Sequence, residues 1–143
     1  MAVVNPYISF GGDCEAAFDL YKSVFGGEFA SQMRWGDNPD CGQMSEGDKN
    51  QIMHVALPIG ETVLMGSDTP ASMGGVERGS AYTVAIGSHD LAETEKIFNG
   101  LSDGGTVTMP LQKTFWGATF GMLTDKFGVA WMINCDGGGG QQQ

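Results

Sequence analysis

The chain has 143 residues, enough for one domain whose core needs no disulfide or metal staple. A formal charge of −10, from 17 Asp plus Glu against seven Lys plus Arg, argues against nucleic acid and anionic membrane surfaces as partners. A small organic molecule is the partner class that remains. Three cysteines, Cys14, Cys41 and Cys135, are an odd number without paired spacing, and MAVVNPYISF carries no basic region followed by an apolar run. No stretch approaches the roughly 18 consecutive apolar residues of a membrane span. The expectation is a cytoplasmic, soluble protein with free thiols.

Taken in order, Val3 to Phe10 reads as a strand, and Gly11, Gly12 and Asp13 as a turn ending in a helix N-cap. Ala17, Leu20, Tyr21, Val24 and Phe25 follow at the spacing of one apolar helix stripe, stopped by Gly26 and Gly27. Glu28 to Trp35 is the next strand, and Gly36 to Asn50 is a long polar loop. Gln51 to Pro58 and Glu61 to Ser67 form a hairpin around Ile59 and Gly60, and Asp68 to Ser80 has linker composition.

The second half repeats the order. Ala81 to Gly87 is a strand, Ser88 to Asp90 a capping turn, and Leu91, Thr94, Phe98 and Leu101 the stripe of a second helix. A shift of 77 residues lays Asp13 on Asp90, Tyr21 on Phe98 and Gly27 on Gly104. Thr106 to Gln112 is a further strand. The run TFWGATFGMLTDKFGVAWMINC, from Thr114 to Cys135, closes the module as two strands about a turn at Thr124 to Gly128. With Leu123 facing Val129, alternation places Trp116, Ala118, Phe120 and Met122 on one face with Ala130, Met132 and Asn134. Both faces are apolar, so one expects a helix layer on one side and a ligand cavity or partner chain on the other. The sequence thus predicts an α+β fold of two tandem βαβββ modules, about 3–68 and 81–135, in a single domain over 1–136. The tail 137–143 is low complexity and expected to be disordered.

The segments NPYISFGGDCEAAFDLYKSVFGGEF, MHVALPIGETVLMGSD and TFWGATFGMLTDKFGVAWMIN together resemble the PhnB-like branch of the glyoxalase, bleomycin resistance and dioxygenase superfamily, also called the vicinal oxygen chelate superfamily. The resemblance covers nearly the whole chain up to Cys135. It implies curved mixed sheets enclosing a ligand cavity and, in many members, a homodimer. A label relating PhnB-like proteins to demethylubiquinone methyltransferases is not supported, because no Gly-rich cofactor loop runs from a strand into a helix. The resemblance also implies metal ligands at inward positions of the first and last strands of each module, which fall here on Asn5, Met65, Thr83 and Met132. None is a good ligand for a divalent catalytic metal, and a slip of one residue at any strand offers nothing better. No metal and no other cofactor is expected.

Candidate residues follow from that register. With Pro58 paired to Glu61, His54 stands opposite Met65 on the cavity face and is the best available general base. A single strand histidine is more often a structural hydrogen-bonding group. His89 lies in the turn before the second helix, with a solvated role. Cys14 starts the first helix, where the dipole favours a thiolate, but Asp13 and Glu15 oppose this and a plain packed or surface thiol is expected. Asp37, Asp40, Glu46 and Asp48 do not match a calcium-loop spacing. Of the many methionines, most are expected to fill the core, whereas Met65, Met122 and Met132 line the cavity with Tyr7, Trp116 and Phe120. Its few polar groups are Asn5, Ser9, His54, Thr83 and Asn134. Such a lining suits a flat, apolar or aromatic molecule. Two readings follow: a metal-independent small-molecule binding protein, or a lyase- or oxygenase-type enzyme using His54 as proton-transfer base, with or without a divalent metal.

Overall fold

The computed structural model describes residues 2–136. The first module consists of β1 (Tyr7–Phe10), α1 (Cys14–Phe25), β2 (Ser31–Arg34), the single-turn α2 (Glu46–Lys49), β3 (Ile52–Ile59) and β4 (Thr62–Asp68). The second consists of β5 (Val84–Ser88), α3 (Leu91–Ser102), β6 (Thr106–Lys113), β7 (Thr119–Thr124) and β8 (Ala130–Cys135). Each module makes one four-stranded mixed sheet, in the orders β1-β4-β3-β2 and β5-β8-β7-β6, with the first strand parallel to the last. The predicted α+β arrangement of two βαβββ modules is the one found. The repeat holds to the residue at the module starts: Tyr7 and Val84, and Cys14 and Leu91, are each 77 positions apart. The chain parts into two compact units between Glu77 and Arg78.

In the first unit α1 covers one face of its sheet. Period-two alternation turns Ile8, Phe10, Val55, Leu57 and Leu64 toward the helix, and α1 answers with Cys14, Ala17, Phe18 and Tyr21, all buried. The stripe is therefore rotated from the expected one: Phe18 belongs to it, and Leu20, Val24 and Phe25 are only half-buried. Gly66 is the reason. A Cβ there would come within 2.6 Å of the Phe18 ring and 2.8 Å of the Ile8 carbonyl oxygen, so a bare backbone makes room for Phe18. The Phe18 ring then meets Phe10 and Tyr21 edge-on, at 6.1 and 5.3 Å between centroids.

The ends of these elements converge on Asp68, whose residue is 2% exposed. Its carboxylate accepts from the backbone N–H groups of Gly12 (2.8 Å), Cys14 (3.0 Å) and Ile52 (2.9 Å), and its backbone carbonyl accepts from Trp35 Nε1 (3.1 Å). Asp13 occupies the N-cap position of α1 but its side chain makes no cap bond. The orphan donor of the first turn is taken instead by a carboxylate 54 residues away. In α3 the cap is local, with Asp90 accepting from Ala92 and Glu93 N–H.

In the second unit α3 buries Thr94, Ile97, Phe98 and Leu101 against Leu123, Trp131, Ile133 and Cys135, while Leu91, expected in the stripe, is exposed. Asp125, 3% exposed, closes the β7–β8 turn by accepting from Phe127 and Val129 N–H at 2.9 and 3.0 Å and from Trp131 Nε1 at 2.9 Å.

Several expected boundaries move, each for a local reason. β1 begins at Tyr7 rather than Val3, because the Asn5 side chain, not a strand backbone, takes the Val63 N–H (2.9 Å) and Val3 and Val4 are exposed. β2 spans only four residues, ended by Asp37, whose carboxylate accepts from Arg34 N–H at 2.9 Å. The polar stretch 36–50 holds two short 3-10 turns and α2. The first hairpin turns at Gly60 and Glu61, with Ile59 paired to Thr62 and Gly60 at φ of +59°. The second pairs Leu123 with Trp131 rather than with Val129. Both registers are two residues from those expected, so the side chains keep their faces. Residues 114–118 form a turn, which removes Trp116 from the strand, and β5 starts after Thr83. The tail expected to be disordered lies outside the described residues.

Two substitutions test these anchors by thermal or denaturant unfolding. Asp68→Ala leaves three N–H groups without their acceptor and is expected to cost about 3 kcal/mol or more, at about 1–3 kcal/mol for each buried group left unpaired. Gly66→Ala is expected to cost about 1–3 kcal/mol by overpacking beneath Phe18. A loss below about 0.5 kcal/mol in either would contradict the packing described.

Candidate functional site

The sheet faces turned away from the helices carry the chemistry. In the first sheet Tyr7 pairs with Met65 across β1 and β4, Ser9 with Ser67, and Met33 with His54 across β2 and β3. The β3–β4 ladder carried one step beyond Val55 and Gly66 sets Ser67 opposite His54. The sequence register places Tyr7, Ser9, His54 and Met65 on one face, and the structure brings these four together there. It adds Met33, which sequence alone could not place because the β2–β3 pairing spans an irregular 17-residue connection. Tyr7 Oη and His54 Nδ1 lie 3.3 Å apart, with ring centroids at 5.8 Å and planes tilted by 35°. Tyr7 is 49% exposed and His54 half-buried.

In the second sheet the open face carries Phe120 opposite Asn134, Met122 opposite Met132, and Met109 opposite Met122 on the other side. Trp116 reaches this group from the 114–118 turn: its ring lies 6.3 Å from Phe120 and 4.9 Å from Phe115, edge-on to both. Phe115, 97% exposed, was not singled out by pattern, since a turn aromatic has no periodic signal.

The methionines depart from expectation. None of the eight in the described residues is in the buried core; Met33, Met65, Met109, Met122 and Met132 stand on the open sheet faces. Core filling is therefore not their role. The helix-covered faces are packed by aliphatic and aromatic rings with defined shapes, and the adaptable thioethers are kept for the other side.

The four positions at which the resemblance implies metal ligands are occupied as follows. Asn5 has its side-chain oxygen engaged by Val63 N–H, Thr83 is an exposed hydroxyl ahead of β5, and Met65 and Met132 offer thioethers on open faces. That donor set does not fit a catalytic zinc, nickel, manganese or iron(II) centre, which takes imidazole and carboxylate. Among the described residues no three His, Cys, Asp or Glu side chains come together as a metal-holding group.

The other candidates are structural. Cys14 is fully buried, and burial, then the charges of Asp68, Asp13 and Glu15, pushes its thiol far above the ordinary value of 9.0. His89 is exposed, with Nδ1 2.7 Å from Asp136 Oδ1. Arg34 holds Glu15 with two bonds, of 3.1 and 2.8 Å. The hydrogen bond from that guanidinium, more than its charge, lowers the Glu15 carboxyl. No described helix is long and apolar enough to cross a membrane.

A family model described as the Glyoxalase/Bleomycin resistance protein/Dioxygenase superfamily matches residues 4–133. Protein YjdN of Escherichia coli is 33% identical over 139 residues, which cover 92% of this chain and 93% of that protein. Among solved structures, protein PA1353 from Pseudomonas aeruginosa is similar with a TM-score of 0.86 at 39% identity, over 96% of this chain and 99% of that one. A structure described as a putative 3-demethylubiquinone-9 3-methyltransferase, PhnB protein, from Bacillus cereus is similar with a TM-score of 0.73 at 22% identity, over 94% and 99% of the two chains. At that identity the likeness concerns the fold alone.

The thiols give a direct check on burial. In native protein at pH 8 a disulfide-exchange reagent is expected to titrate Cys41 alone quickly, with Cys14 and Cys135 reacting only on unfolding. Because the folded Cys14 thiol stays protonated where the unfolded one ionises, its contribution to stability is complete below the ordinary value and falls as pH rises above 9.0. Fast labelling of Cys14 would contradict the packing of α1, and fast labelling of Cys135 that of β8.

Proposed function

The chain belongs to the Glyoxalase/Bleomycin resistance protein/Dioxygenase superfamily, and within that family we propose that it is a metal-independent binding protein for a small apolar or aromatic molecule. The observation that carries this is the placement of the methionines. Five thioethers stand on the two open sheet faces and none is in the core, so this chain spends its most adaptable side chains where a ligand of variable shape can use them. Phe120, Tyr7 and the Trp116 ring supply aromatic surface beside them. Each open face carries few polar groups: Ser9, Ser67 and His54 in the first sheet, Gln112 and Asn134 in the second.

A second reading is favoured by the Tyr7–His54 contact. A histidine within 3.3 Å of a phenol hydroxyl could pass a proton to or from a bound carbonyl or phenolic compound. It differs from the first in requiring turnover.

Titration with the neutral dye Nile red is expected to give saturable binding that is unchanged by a strong chelator. Met65→Lys is expected to weaken binding at the open face of the first sheet about tenfold or more, because a ligand there would have to desolvate an ammonium, while the unfolding midpoint stays near that of the wild type. Stoichiometric metal in the purified protein, or binding abolished by the chelator, would refute the metal-independent reading. Turnover of a phenolic or carbonyl substrate lost in His54→Ala would establish the enzyme instead.

A further inference from the structure

The open faces of the two sheets hold five thioethers, and the helix-covered cores among the described residues hold none. We propose that Met33 and Met65 of the first sheet, and Met109, Met122 and Met132 of the second, are reversible oxidation sites through which peroxide turns off apolar ligand binding without unfolding the protein. The proposal rests on the binding-protein reading above and adds its regulation.

The chemistry is an oxygen transfer. A sulfur lone pair attacks one oxygen of hydrogen peroxide, the O–O bond breaks, an S–O bond forms, and the other oxygen leaves as water. The thioether is oxidised by two electrons to a sulfoxide and the peroxide is reduced by two. In the reverse direction a dithiol supplies two electrons and becomes a disulfide, and the sulfoxide oxygen leaves as water, the reaction of methionine sulfoxide reductases. Oxidation converts a flexible apolar side chain into a polar one.

The fold places this change where a ligand would meet it. Met33 and Met109 are 40% and 38% exposed and stand on β2 and β6, the end strands of their sheets, so they are open to a small oxidant. Met65, Met122 and Met132 are half-buried. In the second sheet three of these side chains form a row: Met109 is opposite Met122, and Met122 is opposite Met132, across three neighbouring strands. Strands lie about 4.8 Å apart, so each thioether borders the next. The β6–β7 pairing is irregular on both sides of Met109, yet Met109 itself stays in register with Met122. Sulfoxides along this row replace a strip of apolar surface with strong acceptors. In the first sheet Met65 pairs with Tyr7 and Met33 with His54, and the same change falls beside those rings.

The covered faces make this a switch and not a lesion. Sulfoxide formation in a packed core disrupts it. Here the cores rest on Phe10, Phe18 and Leu64 in one unit and Phe98, Trp131 and Ile133 in the other, none of which peroxide converts to a sulfoxide. Oxidation is thereby uncoupled from folding and coupled to ligand affinity. Met73 is the internal contrast: it is 49% exposed, at least as accessible, but lies in the 3-10 turn Ala71–Met73, outside the strands.

The test treats the protein with hydrogen peroxide, removes the oxidant, and titrates Nile red with and without dithiothreitol. Oxidation of the five face methionines, located by peptide mass mapping, is expected to weaken binding about tenfold, because the dye must then desolvate sulfoxides. The unfolding midpoint is expected to stay near that of untreated protein. Treatment with the A and B reductases, one for each sulfoxide epimer, is expected to restore binding. Met73→Leu is expected to respond to peroxide as the wild type does. The combined variant Met33→Leu, Met65→Leu, Met109→Leu, Met122→Leu and Met132→Leu, compared with its own untreated affinity, is expected to change less than about twofold. If that variant does not fold, the mapping and reductase results on the wild type decide. Unchanged binding by protein whose face methionines are mapped as oxidised overturns the proposal and leaves the binding-protein reading standing. Recovery in dithiothreitol alone overturns it too, by assigning the loss to Cys41, and so does a loss that accompanies unfolding or persists in the combined variant. If untreated protein binds no Nile red saturably, the binding-protein reading falls and this one with it.

Discussion

Two buried carboxylates, one per module, tie together the pieces of chain that cannot pair in a ladder. Asp68 ends β4 and collects the N–H groups of the β1–α1 turn, the first turn of α1 and the start of β3. Asp125 collects two N–H groups of its own turn and the indole of Trp131. Both are almost fully buried, where a carboxylate is tolerable only if its oxygens are occupied by donors. Apart from the Trp131 indole those donors are backbone groups, so charge and backbone satisfy one another. The helix of the first module is set in place by a residue of the last strand, which is why its own N-cap aspartate is left without a capping bond.

Once the helices are fixed, the sheets have one face each for stability and one face each for something else. The covered faces take residues of defined shape, Phe10, Phe18 and Leu64 in one unit, Phe98, Trp131 and Ile133 in the other. A glycine sits where a ring must approach closely, Gly66 under Phe18 and Gly121 under Phe98. The open faces take the thioethers. This division separates packing specificity from ligand adaptability along a single strand, since neighbouring residues point to opposite sides. Met65 and Gly66 are consecutive and serve these two ends.

The family match bears on the fold and leaves the chemistry to the side chains. Where the superfamily resemblance implies ion ligands, this chain has an amide already engaged, an exposed hydroxyl and two thioethers. The polar chemistry of the open faces is concentrated instead at Tyr7 and His54, on strands β1 and β3.

The sequence by itself determined the order of the main strands and helices, the tandem repeat and which strand side chains share a face, though Asn5, Thr83 and Trp116 fall outside the strands. Each of these depends on short-range periodicity, on turn residues, or on a parity that a register error of two residues leaves untouched, as at both hairpins. It also pointed to an unreactive Cys14, because its acidic neighbours are adjacent in the chain, while its burial was decided by the fold. Tertiary structure alone decided that Phe18 joins the buried stripe, that Asp68 caps α1, that Met33 stands beside His54, and that the methionines lie outside the core. These depend on contacts between residues tens of positions apart. No local pattern records such a contact, because the spacing that creates it is fixed only when strands and helix meet.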